Sequence, residues 1–115
     1  MDMPLQQFKA EFFKALSHPL RIRILELLRD GDKYVNELQA HLGVESSVVS
    51  QQLALLRSKG IVLGSKEGTK VTYGIRDPLI FDLLDIARKI FNNNLNDAIS
   101  MLQRMDSEQS GDASS

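Results

Sequence analysis

No cysteine occurs in the 115 residues. That excludes a disulfide, a thiolate metal site and a cysteine redox switch. There are two histidines, His18 and His41, well apart in sequence, and neither an HExxH pair nor a glycine-rich phosphate loop. A catalytic base with its partners therefore has little to be built from, which argues against an enzyme, and no cofactor is implied. No apolar run approaches membrane-spanning length, and Met1-Asp2-Met3-Pro4 lacks the charged and apolar regions of a signal peptide. The expected location is the cytoplasm. An excess of charge of either sign is also missing, the net value being −1. What is present is 43% apolar content, enough for one compact domain, expected over residues 1–105, with a real core.

The most informative stretch is residues 36–60, NELQAHLGVESSVVSQQLALLRSKG. Asn36 with Gln39 three residues on has the form of a capping box opening a short helix, which ends near Leu42. Gly43 marks a tight turn, since glycine enters the left-handed region without steric cost. In the helix after it, over 45–59, Val49, Leu53 and Leu56 recur at i, i+4 and i+7 and predict a buried stripe. Ser47 and Gln51 then lie on roughly the opposite side. Such a pair of helices is a helix-turn-helix, and the exposed groups suit a recognition helix in the major groove of double-stranded DNA. Gln can bond adenine N6 and N7 together, Ser can bond base edges or phosphates, and Val48 can touch a thymine methyl. Ser46, Ser50, Gln52 and Arg57 complete the expected contact set. The plainer reading, the solvated side of an ordinary amphipathic helix, is commoner for any one helix taken alone.

The next stretch of chain shifts the balance. Lys59-Gly60 closes the helix, and IVLGSKEGTKVTYGIR reads as two strands around a turn at Lys66–Lys70, with Val71, Tyr73 and Ile75 alternating with Thr72 and Gly74. A helix-turn-helix followed by a hairpin is a winged helix. Lys66 and Lys70 at its tip are placed for phosphate or the minor groove, though a solvated turn explains them about as well. The segments FKALSHPLRIRILELL, VVSQQLALLRSKGIV and KEGTKVTYGIRDP, in this order and spacing, resemble the ArsR/SmtB family of bacterial winged-helix repressors over about residues 8–95. The resemblance implies a homodimeric repressor that leaves its operator when an effector binds. The expected fold is mainly α with a small β-hairpin, in the order helix-helix-helix-helix-strand-strand-helix.

The remaining helices carry the expectation of a dimer. Residues 4–17 form an amphipathic helix with Leu5, Phe8, Phe12 and Leu16 on one side and Phe13 adjacent. In the resembled family this helix helps to build the dimer interface. Pro19 opens a second helix, with Ile22, Ile24, Leu25 and Leu28 facing inward, until Asp30-Gly31 stops it. Asp77-Pro78 reads as a cap and first helical position for a last helix running to about Met105. Ile80, Leu84, Ala87, Phe91, Leu95, Ala98, Leu102 and Met105 make a near-heptad seam along it. The domain core covers part of such a seam, and a second copy of the helix covers the rest. Asn92–Asn94 are poor helix formers and predict a bend or fraying, and residues 106–115 predict a disordered polar tail.

Charge is unevenly placed. Residues 31–76 hold six cations against four acids, whereas residues 77–115 hold three against seven. The DNA face therefore belongs to the central segment, and its modest charge predicts weak non-specific binding.

The family's metal sites fail when tested by position. One places two cysteines in a Glu-Leu-Cys-Val-Cys-Asp-Leu box, which falls here on residues 32–38 with Tyr34 and Asn36 in place of the thiolates. Another places Asp and His ligands where this chain has Asp77, Leu79, Ile90 and Asn93. No metal site is expected, and His18 and His41 have structural roles in the plainer reading. A site using them with carboxylates, or an oxygen-rich one near Asp82 and Asp85, is the competing idea. The DNA face departs from the family's pattern as well: Glu45 stands where Ser commonly caps the recognition helix, and Ala54 where Lys is frequent. A winged helix that binds protein partners is the main rival function.

Overall fold

The computed structural model describes residues 3–114. Its elements run α1 (Pro4–Leu16), α2 (Pro19–Leu27), β1 (Lys33–Tyr34), α3 (Val35–Leu42), α4 (Ser46–Ser58), β2 (Val62–Glu67), β3 (Lys70–Ile75) and α5 (Leu79–Ser114), with a 3-10 turn over Leu28–Asp30. This is a winged helix-turn-helix, mainly helical with a small antiparallel sheet. It adds one strand to the expected order. β1 precedes α3 and pairs antiparallel with β3, Lys33 opposite Tyr73 and Tyr34 opposite Thr72, giving the strand order β1-β3-β2. Two residues are too few for alternation to reveal a strand, and the pairing partner lies far along the chain.

The chain divides into two compact units, residues 1–81 and 82–115. The core of the first is made by Ile24, Leu25 and Leu28 after the start of α2, Leu38 of α3, Val49, Leu53 and Leu56 of α4, and Ile61, Val62 and Ile80. All three stripe residues of α4 are fully buried, as their spacing predicts. Only the end of α1 joins this core, through Ala15 and Leu16.

Local chemistry sets the element ends. His18 caps α2, its Nδ1 accepting from Leu20 N–H at 3.1 Å, and Pro19 follows at the first helical position. Asp77 accepts from Leu79 N–H at 3.0 Å and opens α5. The start of α3 differs from expectation. The helix begins at Val35, and it is Glu37 that reaches back to accept from Tyr34 N–H at 3.0 Å. Two acid or amide candidates stand two residues apart, and the pairing of Tyr34 with β3 decides for the earlier start.

The wing also departs in detail. β2 and β3 pair from Val62 opposite Ile75 to Glu67 opposite Lys70, leaving Gly68-Thr69 as a two-residue turn with Gly68 at φ 65°. In β3 the more buried residues are Thr72 and Gly74, while Val71, Tyr73 and Ile75 are half-buried. β3 is the central strand, paired along both edges, and residues on both of its faces are at least half-buried from Val71 to Ile75. A Cβ at Gly74 would collide with the Asp32 carboxylate, which lies directly over it.

Within the second unit, α5 is helical through Asn92–Asn94 and on to Ser114. The predicted fraying is absent there, and helix stands at 106–114 in place of the predicted tail, for which the Ser- and Gly-containing sequence offers no physical reason. The end of that tail, Ser115, lies outside the described residues.

Candidate nucleic-acid interface

The turn between α3 and α4 fixes the presentation of α4. Gly43 sits at φ 67° and its N–H donates to Gln39 O at 2.9 Å, closing α3 with a left-handed residue. Glu45 then precedes the first turn of α4 without a side-chain capping bond. Ser caps by accepting from the second or third N–H of a helix; here the longer Glu45 side chain makes no such bond and stays exposed.

Burying Val49, Leu53 and Leu56 forces the opposite face outward. Ser46, Ser47, Ser50, Gln51, Ala54 and Arg57 are exposed, and Val48 is half-buried at the edge. This places most of the expected contact set on one accessible face. Gln52 is the exception. It is half-buried, and its Oε1 accepts from Arg21 Nε at 2.9 Å, so its carbonyl is engaged with α2. The same guanidinium donates through Nη1 to Ala15 O at 2.9 Å. Gln52, expected as a phosphate or edge contact, thus ties α4 to α2 through its carbonyl, and through the same guanidinium to α1.

Arg57 extends toward the wing, where a Cβ added to Gly64 would stand 3.5 Å from its Nη1. Glycine at 64 leaves room for the guanidinium beside β2. At the tip, Lys66 and Lys70 are exposed, as is Glu67 between them. Tyr34 braces this tip from β1. Its hydroxyl donates to Glu67 Oε2 at 2.9 Å, and Lys70 Nζ lies 5.3 Å from its ring centroid. Tyr34 stands where the resembled metal sensors carry a thiolate. The sequence gives no sign of its brace, because Glu67 lies 33 positions away.

The hydrogen bond to Glu67 and the charge of that carboxylate hold the Tyr34 hydroxyl above the ordinary value of 10.0. The folded state thus favours the protonated phenol: its contribution is present below the ordinary value and is lost as pH rises through the raised one. The brace is intact at neutral pH. In a Tyr73→Phe background, ultraviolet titration of the phenolate should show Tyr34 ionising above an unfolded control, and Glu67→Gln should lower it. Identical titrations with and without Glu67 would show that the brace does not form in solution.

The residues expected at a dimer interface are exposed within their own units. In the first, Leu5 and Phe8 are exposed, Phe8 by 64%, and Phe12 is half-buried with its ring stacked on Phe8 at 6.0 Å between centroids. In the second, Ala87, Phe91, Leu95, Ala98 and Leu102 are exposed along α5. His18 serves as a cap, His41 is exposed near the end of α3, and among the described residues no group of three or more His, Asp or Glu could hold a metal.

Comparison with known proteins agrees with this geometry. The sequence profile described as "Bacterial regulatory protein, arsR family" matches residues 18–63. The chain is 48% identical over 101 residues to the uncharacterized HTH-type transcriptional regulator Rv0081 of Mycobacterium tuberculosis, covering 87% of this chain and 89% of that one. The crystal structure of the M. tuberculosis Rv0081 protein superposes with a TM-score of 0.76 at 47% identity, over 85% of this chain and 99% of the other. The solution structure of the homodimeric winged helix-turn-helix DNA-binding domain of Mb0332 from Mycobacterium bovis gives 0.71 at 28% identity, over 79% and 84%. With its helix-turn-helix, its wing and these similarities, the chain belongs to the arsR family of bacterial regulatory proteins.

Proposed function

We propose that this DNA-binding transcriptional regulator, which is not an enzyme, acts as a homodimeric repressor on an inverted-repeat operator. The observation that carries this reading is the exposed polar face of α4, held outward by three fully buried residues of the same helix. Ser46, Ser47, Ser50 and Gln51 enter the major groove, with Val48 at the groove edge, while Arg57, Lys66 and Lys70 meet the phosphates or the minor groove. Two copies joined through Leu5, Phe8 and Phe12 of α1 and Ala87, Phe91, Leu95, Ala98 and Leu102 of α5 would present two α4 helices about 34 Å apart, one turn of DNA. The homodimer named for the M. bovis relative supports the assembly. Since its target is the chromosome, the protein works in the cytoplasm.

Readout and anchoring separate by mutation. Gln51→Ala should cost about 1–3 kcal/mol on the operator and relax preference at one position. Lys66→Ala should weaken all sequences alike and reduce the salt slope by about one unit. Gel-shift titrations on operator and random duplexes at several salt concentrations distinguish these. Equal losses on both duplexes for Gln51→Ala would mean that Gln51 does not read bases.

The donor set bears on the signal. Arsenite, cadmium, zinc and nickel need thiolate or imidazole donors for tight sites, and the positions of the family's two ligand sets hold Tyr34 and Asn36, or Asp77, Leu79, Ile90 and Asn93. Asp77 is occupied as a cap. Stoichiometric metal should therefore leave operator affinity unchanged, and chelator should have no effect. A tenfold change in that affinity, about 1.4 kcal/mol of coupling, with sub-micromolar metal binding would overturn this and point to a site built on His18 or His41.

A further inference from the structure

The repressor reading leaves the signal open, and the first unit contains a place for one. Between the end of α1, the start of α2 and the end of α4 lies a half-open cavity of about 420 Å³, lined by Glu11, Lys14, Ala15, Ser17, Arg21, Leu55 and Lys59. Three cations face one carboxylate there. Among the described residues, none of Lys14, Arg21 and Lys59 has a carboxylate within ion-pair distance. Arg21 is the telling one. It is half-buried, and both of its hydrogen bonds go to neutral acceptors, Gln52 Oε1 and Ala15 O. A half-buried guanidinium without a counter-ion is only partly compensated, because hydrogen bonds to neutral groups do not fully replace the solvation of its charge. Two of its N–H groups on Nη2 remain for a ligand, and a carboxylate can take such donors in a planar geometry.

A second hollow of about 290 Å³ shares Glu11 and Lys59 with the first and is walled by Phe8, Phe12 and Ser58. An anionic head in the first hollow would direct an apolar body toward these rings. We propose that the two hollows together form an effector site for a small organic carboxylate with an alkyl or aromatic body. Arg21, Lys14 and Lys59 hold the carboxylate, and Leu55 receives the body together with Phe8 and Phe12, which in the proposed dimer would lie between the ligand and the partner copy. The link to DNA is direct. The guanidinium that receives the ligand through Nη2 is the one whose Nε holds Gln52 of α4, so a ligand that draws the guanidinium toward itself shifts the tie to the recognition helix. This rests on the repressor reading for its consequence but not for the binding itself.

The test uses the full-length protein, isotope-labelled, with sodium octanoate and inorganic phosphate as probes at fixed ionic strength. Octanoate should shift the amides of Ala15, Ser17 and Leu55 and the Arg21 Nε–H in a saturable way. The Lys14→Gln/Lys59→Gln variant, whose replaced side chains are exposed, should abolish the shifts. At saturation, operator affinity should change by about tenfold, within the usual range for coupled sites. Gln52→Ala should keep the octanoate shifts and lose most of that change. Absence of saturation below about 10 mM, weaker than ordinary small-ligand binding, would overturn the proposal, as would shifts that persist in the double variant. Phosphate saturating the same residues while octanoate does not would overturn the carboxylate assignment. A double variant that loses operator affinity without any probe, as is expected of Lys66→Ala, would assign these cations to DNA phosphates instead. Binding read on the free protein keeps a failed effector site distinct from a failed repressor reading.

Discussion

Leu95→Glu should yield a monomer that no longer holds the operator. Leu95 is 48% exposed on α5, with Phe91 at 63% and Leu102 at 61% on the same helical face. So much unpartnered apolar surface in a row is what a second copy would cover. A carboxylate placed there would be buried without a partner in the dimer. Such a burial costs about 3–5 kcal/mol, which weakens association by more than about a hundredfold. Both half-sites must be held together for tight operator binding, so the loss of DNA affinity should follow the loss of dimer. Sedimentation and footprinting on the same samples check it. A wild-type protein that is monomeric at micromolar concentration and still protects an operator would overturn the dimer reading.

Leu53→Ala should destabilise the domain by about 2–5 kcal/mol, a large share of the about 5–15 kcal/mol available to a typical domain. The side chain is fully buried between α4 and its neighbours, and truncating it removes apolar contact and leaves a cavity. Urea unfolding followed by circular dichroism measures the shift. Two positions earlier on the same helix, Gln51→Ala should leave the unfolding midpoint nearly unchanged, since Gln51 is exposed. A Leu53→Ala protein with wild-type stability would mean that α4 does not pack by its Val49, Leu53 and Leu56 stripe.

The range of each interaction decides how much of it the sequence discloses. The stripe of α4, the left-handed Gly43 and the Asp77 cap were legible because each is set by residues within a few positions of one another. The hairpin was legible from its turn. By contrast, β1 exists only through its pairing with β3, and the true start of α3 depends on that pairing. Gln52 reads as a surface amide until Arg21, 31 positions away, is seen to bond it. Tyr34 reads as a lost ligand position and proves to be the brace of the wing. For the contact face, a helical wheel separates inside from outside but cannot tell which outward residue is already occupied by a neighbour.

The length of α5 carries a consequence for gene dosage. Thirty-six residues extend about 54 Å, and from Asp85 to Glu108 every residue is exposed within the chain. Without a partner, that stretch has nothing apolar to pack on, so most of its helical stability in the proposed homodimer comes from association. Ordering the helix and forming the DNA-competent species then become one event, second order in the amount of chain. Well below the dissociation midpoint, a twofold fall in cellular copy number would lower the dimer, and with it operator occupancy, by up to about fourfold, so the rate at which the protein is made or degraded would itself act as a control on its genes.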